Sequence, residues 1–98
     1  MTVYIDTASN GFGRMIMCHM IADSLAELHA MAEAIGMRRA WFQPFSFPHY
    51  DVSKSRRVVA LQLGAVEISR QQLAGHMRRL RQDQAFLAAW RAEVQARG

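Results

Sequence analysis

The chain has 98 residues, enough for one small domain, and 51% of them are hydrophobic with only two prolines, which excludes a disordered chain and leaves material for a packed core. No apolar run approaches the ~20 residues of a membrane span, and Met1-Thr2-Val3-Tyr4-Ile5-Asp6 carries an acid where a signal peptide carries base, so a cytoplasmic protein with no membrane partner is expected. The net charge of +4 is confined to residues 70–98, where six arginines face only Asp83 and Glu93; that is a small surplus for a committed nucleic-acid binder.

In chain order, Thr2 to Ile5 alternates and is β-rich, which reads as a strand ending at Asp6. Ala8 to Gly13 is a loop with two glycines, without the spacing of a nucleotide fingerprint. Met15 to His19 is a second strand or a lead-in to a helix. Ser24-Leu25-Ala26-Glu27 fits a capping box, and Leu25, Leu28, Ala32 and Ile35 recur at helical spacing until Gly36 stops the helix. Arg39 to Phe42 reads as a short strand whose large aromatics belong to the core. Gln43 to Tyr50 is a loop with two prolines. A second helix begins near Asp51 or Ser53, buries Val58, Val59, Leu61 and Leu63, and ends at Gly64. Ala65 to Ile68 is a strand. Ser69-Arg70-Gln71-Gln72 opens a third helix with Leu73, Met77 and Leu80, and Asp83 caps a fourth with Phe86, Leu87, Trp90 and Val94 on one face.

Strands alternating with helices predict an α/β fold: a small three-to-four-stranded, mostly parallel sheet with flanking helices and a basic helical C-terminus. Residues 1–80 form the α/β domain in this reading. Residues 81–98 form an extension packed on it or on a partner, with a homodimer contact as one outcome. The lone Cys18 excludes an internal disulfide and agrees with a reducing compartment.

Pro48-His49-Tyr50-Asp51 brings an imidazole, a phenol and a carboxylate together, directly before Ser53-Lys54-Ser55-Arg56-Arg57. Basic residues at a helix start oppose the helix dipole, and a bound anion relieves the conflict. Ser53, Lys54, Arg56 and Arg57, with Tyr50, are therefore candidate ligands for a phosphate. His49, Asp51 and His19 are the candidate acid/base groups. The competing readings are a cap for Asp51, a core aromatic for Tyr50 and a solvated helix face for the cations. His19, Asp23, His49 and Asp51 are candidate ligands for a divalent metal, although their spacing matches no standard zinc motif, and Cys18 and His19 point to opposite sides of a strand.

The blocks Met17-Cys18-His19-Met20-Ile21-Ala22-Asp23, Glu27-Leu28-His29-Ala30-Met31-Ala32, His49-Tyr50-Asp51 and Gly64-Ala65-Val66-Glu67-Ile68 occur in an order that resembles a family of short bacterial and phage proteins, the domain of unknown function family 4031. The likeness covers roughly residues 1–75. The chain departs at Ala40-Trp41-Phe42-Gln43, where the family more usually has Trp-His-Gln, and the arm from about Leu80 lies outside it. The resemblance implies a phage or bacterial cytoplasmic setting and makes His19, Asp23, His49, Tyr50 and Asp51 the positions to test. It implies no activity.

Three functions follow as expectations. The first is binding of a phosphate-bearing ligand, a nucleotide or nucleic acid, at His49–Arg57. The second is a small phosphodiester or nucleotide hydrolase, metal-assisted in one version. The third is a non-enzymatic protein-interaction module working through the C-terminal helices.

Overall fold

A computed structural model describes residues 2–7, 10–12 and 15–97. Five strands and four helices follow one another as β1 (Val3–Asp6), β2 (Asn10–Phe12), β3 (Met15–Ala22), α1 (Leu25–Ala34), β4 (Tyr50–Ser53), α2 (Lys54–Gln62), β5 (Val66–Ile68), α3 (Arg70–Leu80) and α4 (Gln84–Arg97), with a 3-10 turn at Arg39–Trp41 between α1 and β4. Ala8, Ser9 and Gly13 of the expected glycine loop lie outside the described residues, and its middle, Asn10–Phe12, is a strand.

The α/β class holds, but the sheet is mixed and mostly antiparallel, with five strands rather than three or four. Strand β3 pairs antiparallel with β1, β2 and β4, and only β1 and β5 run parallel. The expectation of a mostly parallel sheet fails because the connection from β3 through α1 to β4 is not a parallel crossover. After α1 the stretch from Gly36 to Pro48 carries the chain back to the end where β3 finished. Strand β4 therefore enters against β3, with His19 opposite Asp51 and Met20 opposite Tyr50.

Alternation along these strands sorts the side chains into two faces. Cys18, Met20 and Ala22, Val3 and Ile5, and Tyr50 and Val52 are buried in one apolar cluster with Leu28 and Ala32 of α1, Ala60 of α2 and Phe86 of α4. The other face carries Tyr4, Asp6, Met17, His19, Ile21, Asp51 and Ser53. Helix α3 reaches this second face: His76 stacks on Tyr4 with ring centroids 4.0 Å apart.

Several local expectations change. Arg39–Phe42 is not a strand: Trp41 ends a 3-10 turn and is 44% exposed, while Phe42 is in the core. On α2 most of the side expected to be buried faces outward: Val58, Val59 and Leu63 are exposed, Leu61 packs half-buried against the core, and Ala60 is the fully buried residue. That helix sits close against β3 and β4, where only a small side chain fits. Ser24 accepts the Glu27 N–H, but Glu27 accepts from the serine hydroxyl rather than from its backbone, so the capping box there is half formed. The box at Ser69 and Gln72 is complete. Gly36 (φ 83°) and Gly64 (φ 105°) follow the ends of α1 and α2 in the left-handed region, as helix-stopping glycines do.

Helix α4 is tied to the body. The Trp90 indole donates to the Pro44 carbonyl, Phe86 stacks on Phe47 at 5.6 Å, and Glu93 accepts from His29 (2.8 Å) and Arg39 (2.9 Å). These contacts hold down the Gly36–Pro48 stretch that leads into β4.

Candidate metal centre

His49 lies beside the start of β4 and Asp51 lies within it, two residues apart, so both project from the same face of the sheet. His19 is the cross-strand partner of Asp51 and joins them. His49 Nε2 is 3.3 Å and His19 Nε2 3.9 Å from Asp51 Oδ1, and the ring centroids of the two histidines are 5.6 Å apart. One donor atom from each of the three residues lies within 4.8 Å of the others. Around a tetrahedral zinc with bonds of about 2.0–2.1 Å, ligand atoms sit about 3.3 Å apart, so a small closure completes the set.

Each of the three side chains is aimed by a further group. His19 Nδ1 is 2.9 Å from Asp6 Oδ2, and the His19 backbone N–H donates to Asp6 Oδ1 at 2.8 Å. Asp6 is fully buried and spends both oxygens on this one residue. The arrangement arises where β1 pairing ends at Ile5–Met20 and β2 pairing starts at Asn10–Met17, which leaves the His19 N–H to a side chain. His49 Nδ1 donates to the Phe47 carbonyl at 2.6 Å. A carbonyl only accepts, so Nδ1 carries a proton and Nε2 is the ring atom turned toward Asp51. Gln43, bridged to His49 through the backbone, donates its amide to Asp51 Oδ2 at 2.6 Å and leaves Oδ1 to the histidines. Metal-binding histidines and carboxylates typically carry such outer partners.

The site lies between two hollows. An apolar one of about 270 Å³ is lined by His19, His49, Ile21, Phe47, Leu73 and Met77. A second, of about 420 Å³, begins at Asp51 and runs past Gln43 and Ser53 to Trp41 and Arg56. The side chains of His19 and Asp51 remain about one-third exposed (32% and 34%), so small molecules reach them.

The remaining sequence candidates fall elsewhere. Asp23 is not part of the cluster. It accepts from Tyr4 (3.0 Å), the Thr2 N–H (3.1 Å) and Arg79 (2.8 Å). Burial raises its pKa, but the bonds from Arg79 and Tyr4 outweigh that and hold it below the usual carboxylate range. Tyr50 does not face the site: it is fully buried, its hydroxyl lies 2.8 Å from His29 Nδ1, and burial first of all pushes its pKa up to about 12. An anion at the surface cannot reach it. Arg57 is occupied by Glu67 and by the Asp6 carbonyl (3.2 Å). Ser53 caps α2 through the Arg56 N–H, so the cap expected of Asp51 belongs to Ser53, and Lys54 stands exposed at the first position of α2. Arg56 alone of the two arginines lines a hollow beside the cluster. Cys18 is in the core, on the face opposite His19, and burial raises its thiol pKa.

Sequence reasoning does not find Asp6 or Gln43 as partners of the cluster. Asp6 offers one signal, an acid at the end of the first strand, but its partner depends on a break in strand pairing. Gln43 offers none.

No helix among the described residues is long and apolar enough to cross a membrane. No curated protein and no solved structure matches the chain. A family model does match it, over residues 3–81, a span that includes Asp6, His19, Gln43, His49 and Asp51 and leaves out all of α4. The chain therefore belongs to the family described as protein of unknown function DUF4031.

Proposed function

We propose that the chain is a divalent-metal-dependent hydrolase of a phosphate-bearing substrate, with the ion held by His19 Nε2, His49 Nε2 and Asp51 Oδ1. One observation carries this reading: three potential ligands converge on one face, and each is oriented by a partner of its own, Asp6, the Phe47 carbonyl and Gln43. Two imidazoles and one carboxylate suit zinc, manganese or ferrous iron and leave coordination positions open. An ion held there would supply an activated water as nucleophile and positive charge at a phosphate oxygen; hydrolysis would form a P–O bond from that water, break the P–O bond to the leaving alcohol, and return the water's proton to the departing oxygen through solvent. Arg56 supplies positive charge on the Asp51 side of the site.

The test is calorimetric titration of chelator-treated protein with zinc and manganese, followed by assay on bis(p-nitrophenyl) phosphate. One ion per chain is expected. His49→Ala and Asp51→Asn should each weaken its binding at least about 100-fold and remove metal-dependent turnover. Failure of both metals to bind, or undiminished binding in both variants, rejects the proposal.

A further inference from the structure

The hollow that starts at Asp51 differs in chemistry from its neighbour. The other hollow is walled mainly by Ile21, Phe47, Leu73 and Met77, with the His19 and His49 rings and Ser46 as its polar groups. This one presents an indole, a guanidinium, a carboxamide and a hydroxyl: Trp41, Arg56, Gln43 and Ser53, with the thioethers of Met17 and Met37. Trp41 is 44% exposed, an unusual position for the largest apolar side chain. It is nonetheless held in place. It closes the 3-10 turn, and the Arg56 guanidinium lies 5.5 Å from its ring centroid. Arg56 is itself tethered, with Nε donating to the Ile35 carbonyl (3.3 Å) and Nη2 to the Gly36 carbonyl (3.5 Å) at the C-terminal end of α1. The rest of its fork remains for a ligand.

We infer that this hollow is a nucleobase subsite, so that the phosphate-bearing substrate is a nucleotide. A base stacks on any exposed aromatic face, and thioethers make soft contacts with flat rings. Gln43, which keeps its amide oxygen and one N–H beyond the bond to Asp51, lines the hollow where the base edge would lie, beside Ser53 at the cap of α2. Because Asp51 belongs to the hollow as well as to the three-ligand cluster, a nucleotide seated on Trp41 extends its phosphate toward the metal, past Arg56. The volume of about 420 Å³ falls within the range of small-molecule sites. This inference rests on the metal-centre reading for the position of the phosphate, and on Trp41 and Arg56 for the base.

The test uses AMP, CMP, ribose 5-phosphate and inorganic phosphate as probes, titrated into protein with and without zinc and followed through the Trp41 indole N–H signal in NMR spectra. At least one nucleotide should bind about ten-fold or more tightly than ribose 5-phosphate and move the Trp41 signal. Trp41→Ala, a substitution at an exposed residue, should erase the preference while metal uptake by calorimetry stays unchanged. Equal affinities for nucleotides and ribose 5-phosphate in a protein that takes up metal overturn the subsite and leave the metal centre standing. Retention of the preference in Trp41→Ala also overturns the subsite. A nucleotide preference lost with Trp41, in a protein that takes up no metal, supports the subsite and rejects the centre alone.

Discussion

Asp6 shows how much one buried side chain does for a site it never enters. Both its oxygens are committed to His19, one to the backbone N–H and one to the ring. A carboxylate on Nδ1 fixes the tautomer that leaves Nε2 free for a metal. Asp6→Asn keeps the volume but places an N–H donor against the ring, which favours the tautomer with the proton on Nε2. Metal affinity should fall about 10- to 100-fold with the fold retained, as read by calorimetry beside a circular dichroism spectrum. An unchanged affinity would mean that the ring is aimed by something else. At this scale the sequence was informative where alternation alone decides. His49 and Asp51 share a face because they are two apart, and Cys18 opposes His19 because it is adjacent to it. It was silent where a partner depends on register, as with His19 opposite Asp51, or on an exposed loop amide such as Gln43.

Among the elements, α4 bears on the strand that carries the site through the segment that leads into it. It contacts the segment before β4 through Phe86, Trp90 and Glu93, and Glu93 reaches the His29–Tyr50 pair between α1 and β4. The hydroxyl of Tyr50, kept protonated by burial, donates to His29 Nδ1, and His29 Nε2–H donates to Glu93. Phe86→Ala removes a 3%-exposed ring stacked on Phe47 and should cost about 3–5 kcal/mol in urea denaturation. Metal affinity should weaken with it, because Phe47 carries the carbonyl that orients His49. A loss below about 1 kcal/mol would show that α4 is dispensable to the fold. Helix positions were legible from caps, glycines and stripes: the N-caps expected at Ser24, Ser69 and Asp83 are seen, while that of α2 is Ser53 rather than Asp51. The buried side of α2 was not, because Val58-Val59-Ala60-Leu61 is apolar all round and propensity cannot say that the alanine faces inward. Sheet direction was also hidden, since the Gly36–Pro48 return has no regular pattern.

For the whole molecule the ionisable groups outside the cluster of His19, His49 and Asp51 set an acid limit. Burial lowers the pKa of His29, more than the bond from Glu93 raises it. Burial alone would raise Glu93, but His29 and Arg39 outweigh it, and Asp23 is held down by Arg79 and Tyr4 in the same way. In all three the folded pKa lies below the unfolded one. Their contribution to stability is complete above the unfolded values and is lost as pH falls through the folded ones. Urea midpoints in the presence of chelator should therefore hold near pH 7–8, begin to decline below about 6.5 as unfolded His29 takes up a proton, and fall again below about 4 as the carboxylates follow. A midpoint that rises between pH 7 and pH 5 would contradict this assignment.

Between His49 and Asp51, Tyr50 goes into the core while its neighbours stay at the cluster. A slip of one residue between β3 and β4 would expel that phenol into water and swing both ligands inward among methyl groups. Packing and chemistry thus succeed or fail together, and no half-assembled version keeps one without the other. Under the proposed metal binding, the amount of ion a preparation takes up would for that reason gauge how many chains have paired their strands correctly.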